Sequence, residues 1–245
     1  MACRLDADAL LTLWERTIGG DAVAVDEALL HAGVGSGSIA APRTLGERNA
    51  RLLALHAQWF GAELALLSHC PACGTAAQFS VDAQALAASA PASDAALAPH
   101  HLAVDGHAIE FRLPDRADIA AAAAAPDDEG FVDALLSRCV LDCRIDGIPL
   151  RPQELPATVL DALSERMETL DPAASLSFAL DCPQCATQWD ARLDPGQPVR
   201  QKVQAAAERL LLDVDALARS YGWSEDEVLR LSPTRRAAYL QLAAV

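Results

Sequence analysis

Two Cys-Pro-x-Cys pairs, Cys70-Pro-Ala-Cys73 and Cys182-Pro-Gln-Cys185, constrain this chain more than any other feature. Sliding residues 70–82 onto 182–194 matches the pair, then a threonine two places on (Thr75, Thr187), an alternating run and a closing aspartate (Asp82, Asp194). One motif is used twice. A C-x-x-C turn aims two thiolates at one point, which leaves a zinc ion half coordinated. Two such turns facing each other complete a tetrahedral four-sulfur site. The expected ligands are Cys70, Cys73, Cys182 and Cys185 around one structural Zn2+ per chain, with no position open for a catalytic water. Zinc-finger peptides bind the ion with roughly 10–16 kcal/mol, released largely as folding energy, so the site would fasten two distant parts of the chain.

The rival chemistry for C-x-x-C is thiol–disulfide exchange. It needs the pair at a helix N-terminus, where the dipole lowers a thiol pKa. Here the second pair is expected between two strands, and redox function does not call for two matching pairs. Of the other cysteines, Cys3, Cys139 and Cys143, the last two are four apart, a spacing that one helix face could share, but they are read as small buried hydrophobes. His69 precedes Cys70 and is the one plausible substitute ligand. His100 and His101 are read as exposed in a polar loop.

Periodicity places the motifs. Apolar spacing in residues 5–32 predicts two short helices, ending in a glycine-bearing connector (Gly33, Gly35, Gly37) that lacks the Gly-Lys-Ser/Thr of a phosphate loop. Residues 45–67 read as a helix bent near Gly61, which would put the first cysteine turn at a helix exit. Ala77, Phe79 and Val81 alternate with polar residues and predict a strand. An Ala/Ser/Pro-rich stretch, 86–99, reads as disordered. A strand is expected around Ile109, Phe111 and Leu113. Helices follow over 115–125, 131–140 and 155–170, with a turn at 144–147. Strands flank the second cysteine turn. A helix of about five turns runs from Val203 to a stop at Gly222, and Ser224 and Ser232-Pro233 each start a short helix.

The fold class this predicts is α+β, mainly helical. A small antiparallel zinc-ribbon core, built from the two CPxC hairpin-like repeats, has flanking helical parts. The corresponding regions are 1–68 (N-terminal helical), 69–197 (zinc-ribbon core with inserted helices) and 198–245 (C-terminal helical module). In the last of these Trp223 is read as packing inside the module, with anchoring of a partner as the alternative.

Charge and motif content exclude several functions. A net charge of -15 and a pI near 4.6 repel phosphate backbones and anionic membrane surfaces. The N-terminus lacks signal-peptide order and no 18-residue apolar run occurs, so the expectation is a cytoplasmic protein with neither nucleic acid nor membrane as partner. Gly-x-Ser-x-Gly, His-Glu-x-x-His and Walker motifs are absent, and the carboxylates are read as solvated helix faces, so no catalytic constellation is expected.

In chain order, Gly46-Glu-Arg-Asn-Ala-Arg-Leu-Leu-Ala-Leu, Phe60-Gly61, Cys70-Pro-Ala-Cys73-Gly, Phe111-Arg-Leu-Pro114, Leu136-Ser-Arg-Cys139-Val, Ser164-Glu-Arg-Met167, Cys182-Pro-Gln-Cys185, Tyr221-Gly-Trp-Ser and Leu231-Ser-Pro-Thr-Arg-Arg span nearly the whole sequence. This set resembles the baseplate hub assembly chaperone family of contractile-tailed phages and related contractile injection systems. One departure is Ala186, where a second glycine is expected after the turn. The resemblance implies a non-enzymatic protein that helps assemble the baseplate hub or tape-measure complex. It would act in the cytoplasm or be incorporated into the particle. The alternative is a zinc-ribbon regulatory protein contacting nucleic acid or transcription machinery, which the acidic balance opposes. A thiol oxidoreductase ranks third.

Overall fold

The computed structural model of the chain describes residues 5–34, 42, 44–89 and 98–243. Cys3, most of the glycine connector and the middle of the Ala/Ser/Pro stretch lie outside them. The chain is mixed α+β and mainly helical.

Three helices come first: α1 (Ala7–Thr17), α2 (Ala22–Val34) and α3 (Leu45–Phe60). Asp6 and Thr44 start α1 and α3 as side-chain caps, accepting from Ala9 N at 2.7 Å and Glu47 N at 3.1 Å. A hairpin follows, β1 (Glu63–His69) with β2 (Ala76–Asp82), and then the short α4 (Ala83–Ala87). Next comes an antiparallel meander, β3 (His100–Val104), β4 (His107–Phe111), β5 (Val140–Ile145) and β6 (Ile148–Pro149), with α5 (Arg116–Ala122) and α6 (Asp128–Cys139) inserted between β4 and β5. Helix α7 (Ala157–Leu170) leads to a second hairpin, β7 (Leu176–Asp181) with β8 (Gln188–Leu193). The long α8 (Gly196–Tyr221), α9 (Glu225–Leu229) and α10 (Pro233–Ala243) close the chain.

Each group of elements buries its own apolar face. The meander packs Ile109 and Phe111 against Leu136 of α6 and Val159 and Leu163 of α7. Leu13, Leu29, Leu52, Val199 and Val203 form a helical core, so the first turns of α8 belong to the same packing as α1, α2 and α3. Leu53 of α3, Leu64 of β1 and Ala83 of α4 make a third cluster, against which Leu176 and Leu193 of the second hairpin pack. At the end of α8, Tyr221 stacks on Trp223 and Tyr239 meets Trp223 edge-on, both at ring-centroid distances of 4.8 Å, so Trp223 packs within the C-terminal helices.

The structure corrects several sequence expectations. Residues 63–67 are strand, not the end of a helix. Gly61 stops α3 at φ +103°, after which Leu64 and Leu66 turn inward while Leu67 is 63% exposed. Leu64 and Leu67 had matched helical spacing, whereas Leu64 and Leu66 carry the strand period. His100 and His101 begin β3 instead of lying in a loop. Cys139 ends α6 and Cys143 lies in β5, so they share no helix face, although both are buried.

The carboxylates are not all solvated. Asp118, fully buried, accepts from Arg112 at 2.6 and 2.8 Å and from Arg138 at 2.7 Å, which holds its pKa far below the usual carboxylate range against the opposing effect of burial. Asp26 is buried between Arg48 and Arg200. Asp171 is 1% exposed. Single-sequence reading misses Asp26 and Asp171 because Arg200 and Gly46, which bind them, lie 174 and 125 positions away.

Candidate metal centre

Both cysteine turns sit at the tips of hairpins. In the first, Cys70 N–H donates to Thr75 O at 2.9 Å and Gly74 N–H to Cys70 O at 2.9 Å. In the second, Cys182 N–H donates to Thr187 O at 2.9 Å and Ala186 N–H to Cys182 O at 3.0 Å. The same backbone loop is therefore built twice, and the threonine shared by both sequence repeats closes it. The residue after the second cysteine is left-handed in each, Gly74 at φ +73° and Ala186 at φ +57°. Alanine at Ala186 thus preserves the turn, at a cost in backbone strain of about 1 kcal/mol. Ala186→Gly is expected to raise stability by about 0.5 kcal/mol once glycine's greater unfolded-state freedom is subtracted. Gly74→Ala should lower it by a similar amount, and denaturant midpoints of the two variants give both signs.

The repeats also end alike. Asp82 caps α4 by accepting from Gln84 N and Ala85 N at 2.8 and 3.0 Å, and Asp194 accepts from Gly196 N at 3.0 Å at the start of α8. The two hairpins meet through Phe79 and Phe178, 5.5 Å between centroids, and through Trp189 Nε1, which donates to Ser68 Oγ at 3.1 Å.

These contacts bring the four thiols together. All four sulfurs lie within 4.8 Å of one another. Cys70 Sγ is 3.6 Å from Cys185 Sγ and Cys73 Sγ is 3.5 Å from Cys182 Sγ, so both of these close pairs cross from one hairpin to the other. Zinc–sulfur bonds of about 2.3 Å in a tetrahedron set sulfurs about 3.8 Å apart, close to what is seen. Cys70 and Cys182 are buried, while Cys73 and Cys185 face solvent. The Thr75 and Thr187 hydroxyls each lie 3.2 Å from the exposed sulfur of their own turn. Hydrogen bonds from the Thr187 side chain and backbone pull the Cys185 thiol down to about 6, Thr75 lowers that of Cys73 in the same way, and burial pushes Cys182 up to about 11. A donor set with two thiolate-favouring members fits a divalent cation, since the thiolate is the ligand form.

All four cysteines named from the sequence are brought together, and among the described residues no other cluster of His, Cys, Asp or Glu has metal-binding geometry. His69 is an exposed end residue of β1 outside the cluster. Cys143 lies in the meander core and Cys139 is buried at the end of α6, and burial raises both thiols, Cys139 to about 11. Among the described residues no helix is long and apolar enough to cross a membrane. Comparison with known family models, curated proteins and solved structures finds no match to this chain.

Proposed function

We propose that Cys70, Cys73, Cys182 and Cys185 hold one structural zinc ion, making the paired hairpins a zinc ribbon. The protein is then a non-enzymatic assembly factor, or minor structural component, of a phage-like contractile tail or injection-system baseplate. The observation that carries the zinc reading is the convergence of four sulfurs from two hairpin tips more than 100 residues apart. Such a set fills every position of a tetrahedral ion and leaves none for substrate, so its work is to hold the hairpins together.

The assembly role is supported by the order of motifs that resembles the baseplate hub chaperones and by what those motif residues do. Gly46 and Asn49 join α3 to the end of α7, Arg112 and Arg138 close on Asp118, and Tyr221 and Trp223 pack the C-terminal helices. They hold junctions. The partners on this reading are hub or tape-measure proteins.

The test is deletion of the gene in the producing strain, with particles inspected by electron microscopy and assayed for contraction. Particles lacking a complete baseplate are expected, with rescue by the wild-type gene. Intact, normally contracting particles would sink the assembly role, and a salt-dependent gel shift on DNA at physiological ionic strength would favour the zinc-ribbon regulator instead.

A further inference from the structure

Where the start of α1 meets the middle of α8 and the turn between α9 and α10, the chain leaves an open cavity of about 570 Å³. Its walls are of two kinds. Leu5, Leu10, Leu210, Leu229 and Leu231 make an aliphatic side. Arg209 of α8, Arg230 just past α9 and Arg236 of α10 gather on the same cavity, with Asp6 and Asp213 as its acids. It shares no residue with the cysteine centre.

Three arginines in one cavity stand out on a chain of net charge -15, and the acids beside them do not use up their donors. Asp6 caps α1, accepting from Ala9 N at 2.7 Å. Asp213 meets only Nε of Arg236, at 3.2 Å, and Arg236 Nη1 is buried with no hydrogen-bond partner among the described residues. A buried donor left unpaired is costly, so its retention needs a reason. Arg209 is exposed and makes no ion pair with a described residue. Arg230 reaches Asp226 at 3.2 Å, but the two side chains are 76% and 79% exposed, and such a pair is weak. Residues 1–4, which precede Leu5, contribute Arg4 and no acid, so they do not supply an anion.

The charges select the ligand. Three arginines against two aspartates leave one positive charge on the wall, which suits a single carboxylate better than the nearly double charge of a phosphate group. A guanidinium offers a carboxylate two parallel N–H donors. The leucines add a reason for the anion to carry hydrocarbon, since covering them removes apolar surface from water. Ser232 and Pro233 also line the cavity, so the positive end of α10 adds to the same preference.

We propose that this cavity binds a monocarboxylate with an aliphatic body, its carboxylate held by Arg209 and Arg236 and its hydrocarbon laid against the leucines. That chemistry is offered by a free aliphatic acid and by the apolar carboxyl end of a peptide. The inference depends on neither the zinc nor the assembly reading.

The test is isothermal titration calorimetry of the full chain with octanoate, and with acetyl-leucyl-leucine as free acid and as amide. Acetate, inorganic phosphate and octylamine are the controls. Saturable one-to-one binding of octanoate or of the peptide acid is expected, with the amide and the three controls at least about tenfold weaker. Arg209→Gln should weaken it about tenfold at an unchanged melting temperature, because Arg209 is exposed and unpaired. Arg219→Gln, at an exposed arginine of the same helix outside the cavity, should leave it as it was. Octanoate binding alone assigns the site to free acids, peptide binding alone to chain ends, and either upholds it. The proposal is overturned if neither binds, if octylamine or the amide binds as tightly, if acetate or phosphate does, or if Arg209→Gln changes nothing.

Discussion

Cys182→Ser is expected to abolish metal binding and to lower the melting temperature by about 10 °C or more. The wild-type protein should carry one zinc per chain and fall by a similar amount when treated with a chelator. For a chain of this size about 1 kcal/mol moves the midpoint by roughly 2–4 °C, so this drop needs only a few kcal/mol of the roughly 10–16 kcal/mol that zinc-finger peptides gain from the ion. The full effect is not expected, because α1, α2, α3 and α8 keep a core of their own. On the proposed reading, the ion would secure the meeting of the hairpin tips. The hairpins otherwise touch each other through little more than the Phe79–Phe178 pair and the Trp189–Ser68 hydrogen bond, and share a small cluster beneath. Cys182 is the informative position because it is buried and lies 3.5 Å from Cys73 of the opposite hairpin. Elemental analysis and melts with and without chelator, run on both proteins, decide it. Serine should leave a protein on which the chelator has no further effect. A variant that keeps its zinc and its midpoint, or a wild type with no metal and four titratable thiols, removes the clamp and brings thiol chemistry forward.

The clustering of Cys70, Cys73, Cys182 and Cys185 was legible in the sequence because a local motif, repeated, states both the turn and its partner. The flanking strands were legible where alternation was clean, as in Phe79 and Val81 or Trp189 and Ala191. The first strand of the first hairpin was not. Glu63-Leu-Ala-Leu-Leu-Ser-His is apolar enough to satisfy helix and strand periods alike, and it follows α3 directly. Sliding the repeats upstream as well would have found it, since Leu64 and Leu66 stand where Leu176 and Phe178 stand before the second turn. The packing of α8 on the first three helices is of another kind. Its register depends on Asp26 meeting Arg48 and Arg200, and a single sequence carries no sign that residues 26 and 200 touch. The same holds for Gly46, whose role is invisible until the chain more than a hundred residues later returns to it.

Gly46→Ala tests that return, and its sign is decisive. Gly46 is the second residue of α3, and in an ordinary helix replacing glycine by alanine stabilises by up to about 1 kcal/mol. Here the Gly46 N–H donates to Asp171 Oδ2 at 3.0 Å, so the carboxylate of the residue that ends α7 caps the positive end of α3. Asn49 fixes the same junction by donating from Nδ2 to Ala173 O at 2.9 Å and to Ala174 O at 3.2 Å. A methyl group on Gly46 would overlap Asp171 Oδ1 outright. Asp171 has little room to yield. Its own N–H is bonded to Met167 O at 2.9 Å, its carbonyl accepts from Ala174 N at 3.0 Å, and it is 1% exposed. Alanine must therefore push a buried carboxylate off its donor, and the expected cost is about 3 kcal/mol from overpacking together with an unsatisfied buried acceptor. Denaturant titration of Gly46→Ala, Asp171→Gly and the double variant separates the causes. Removing the carboxylate makes room for the methyl, so the double variant should lose clearly less than the sum of the single losses. Additive losses, or a stabilised Gly46→Ala, would mean that α3 and the end of α7 do not meet as described.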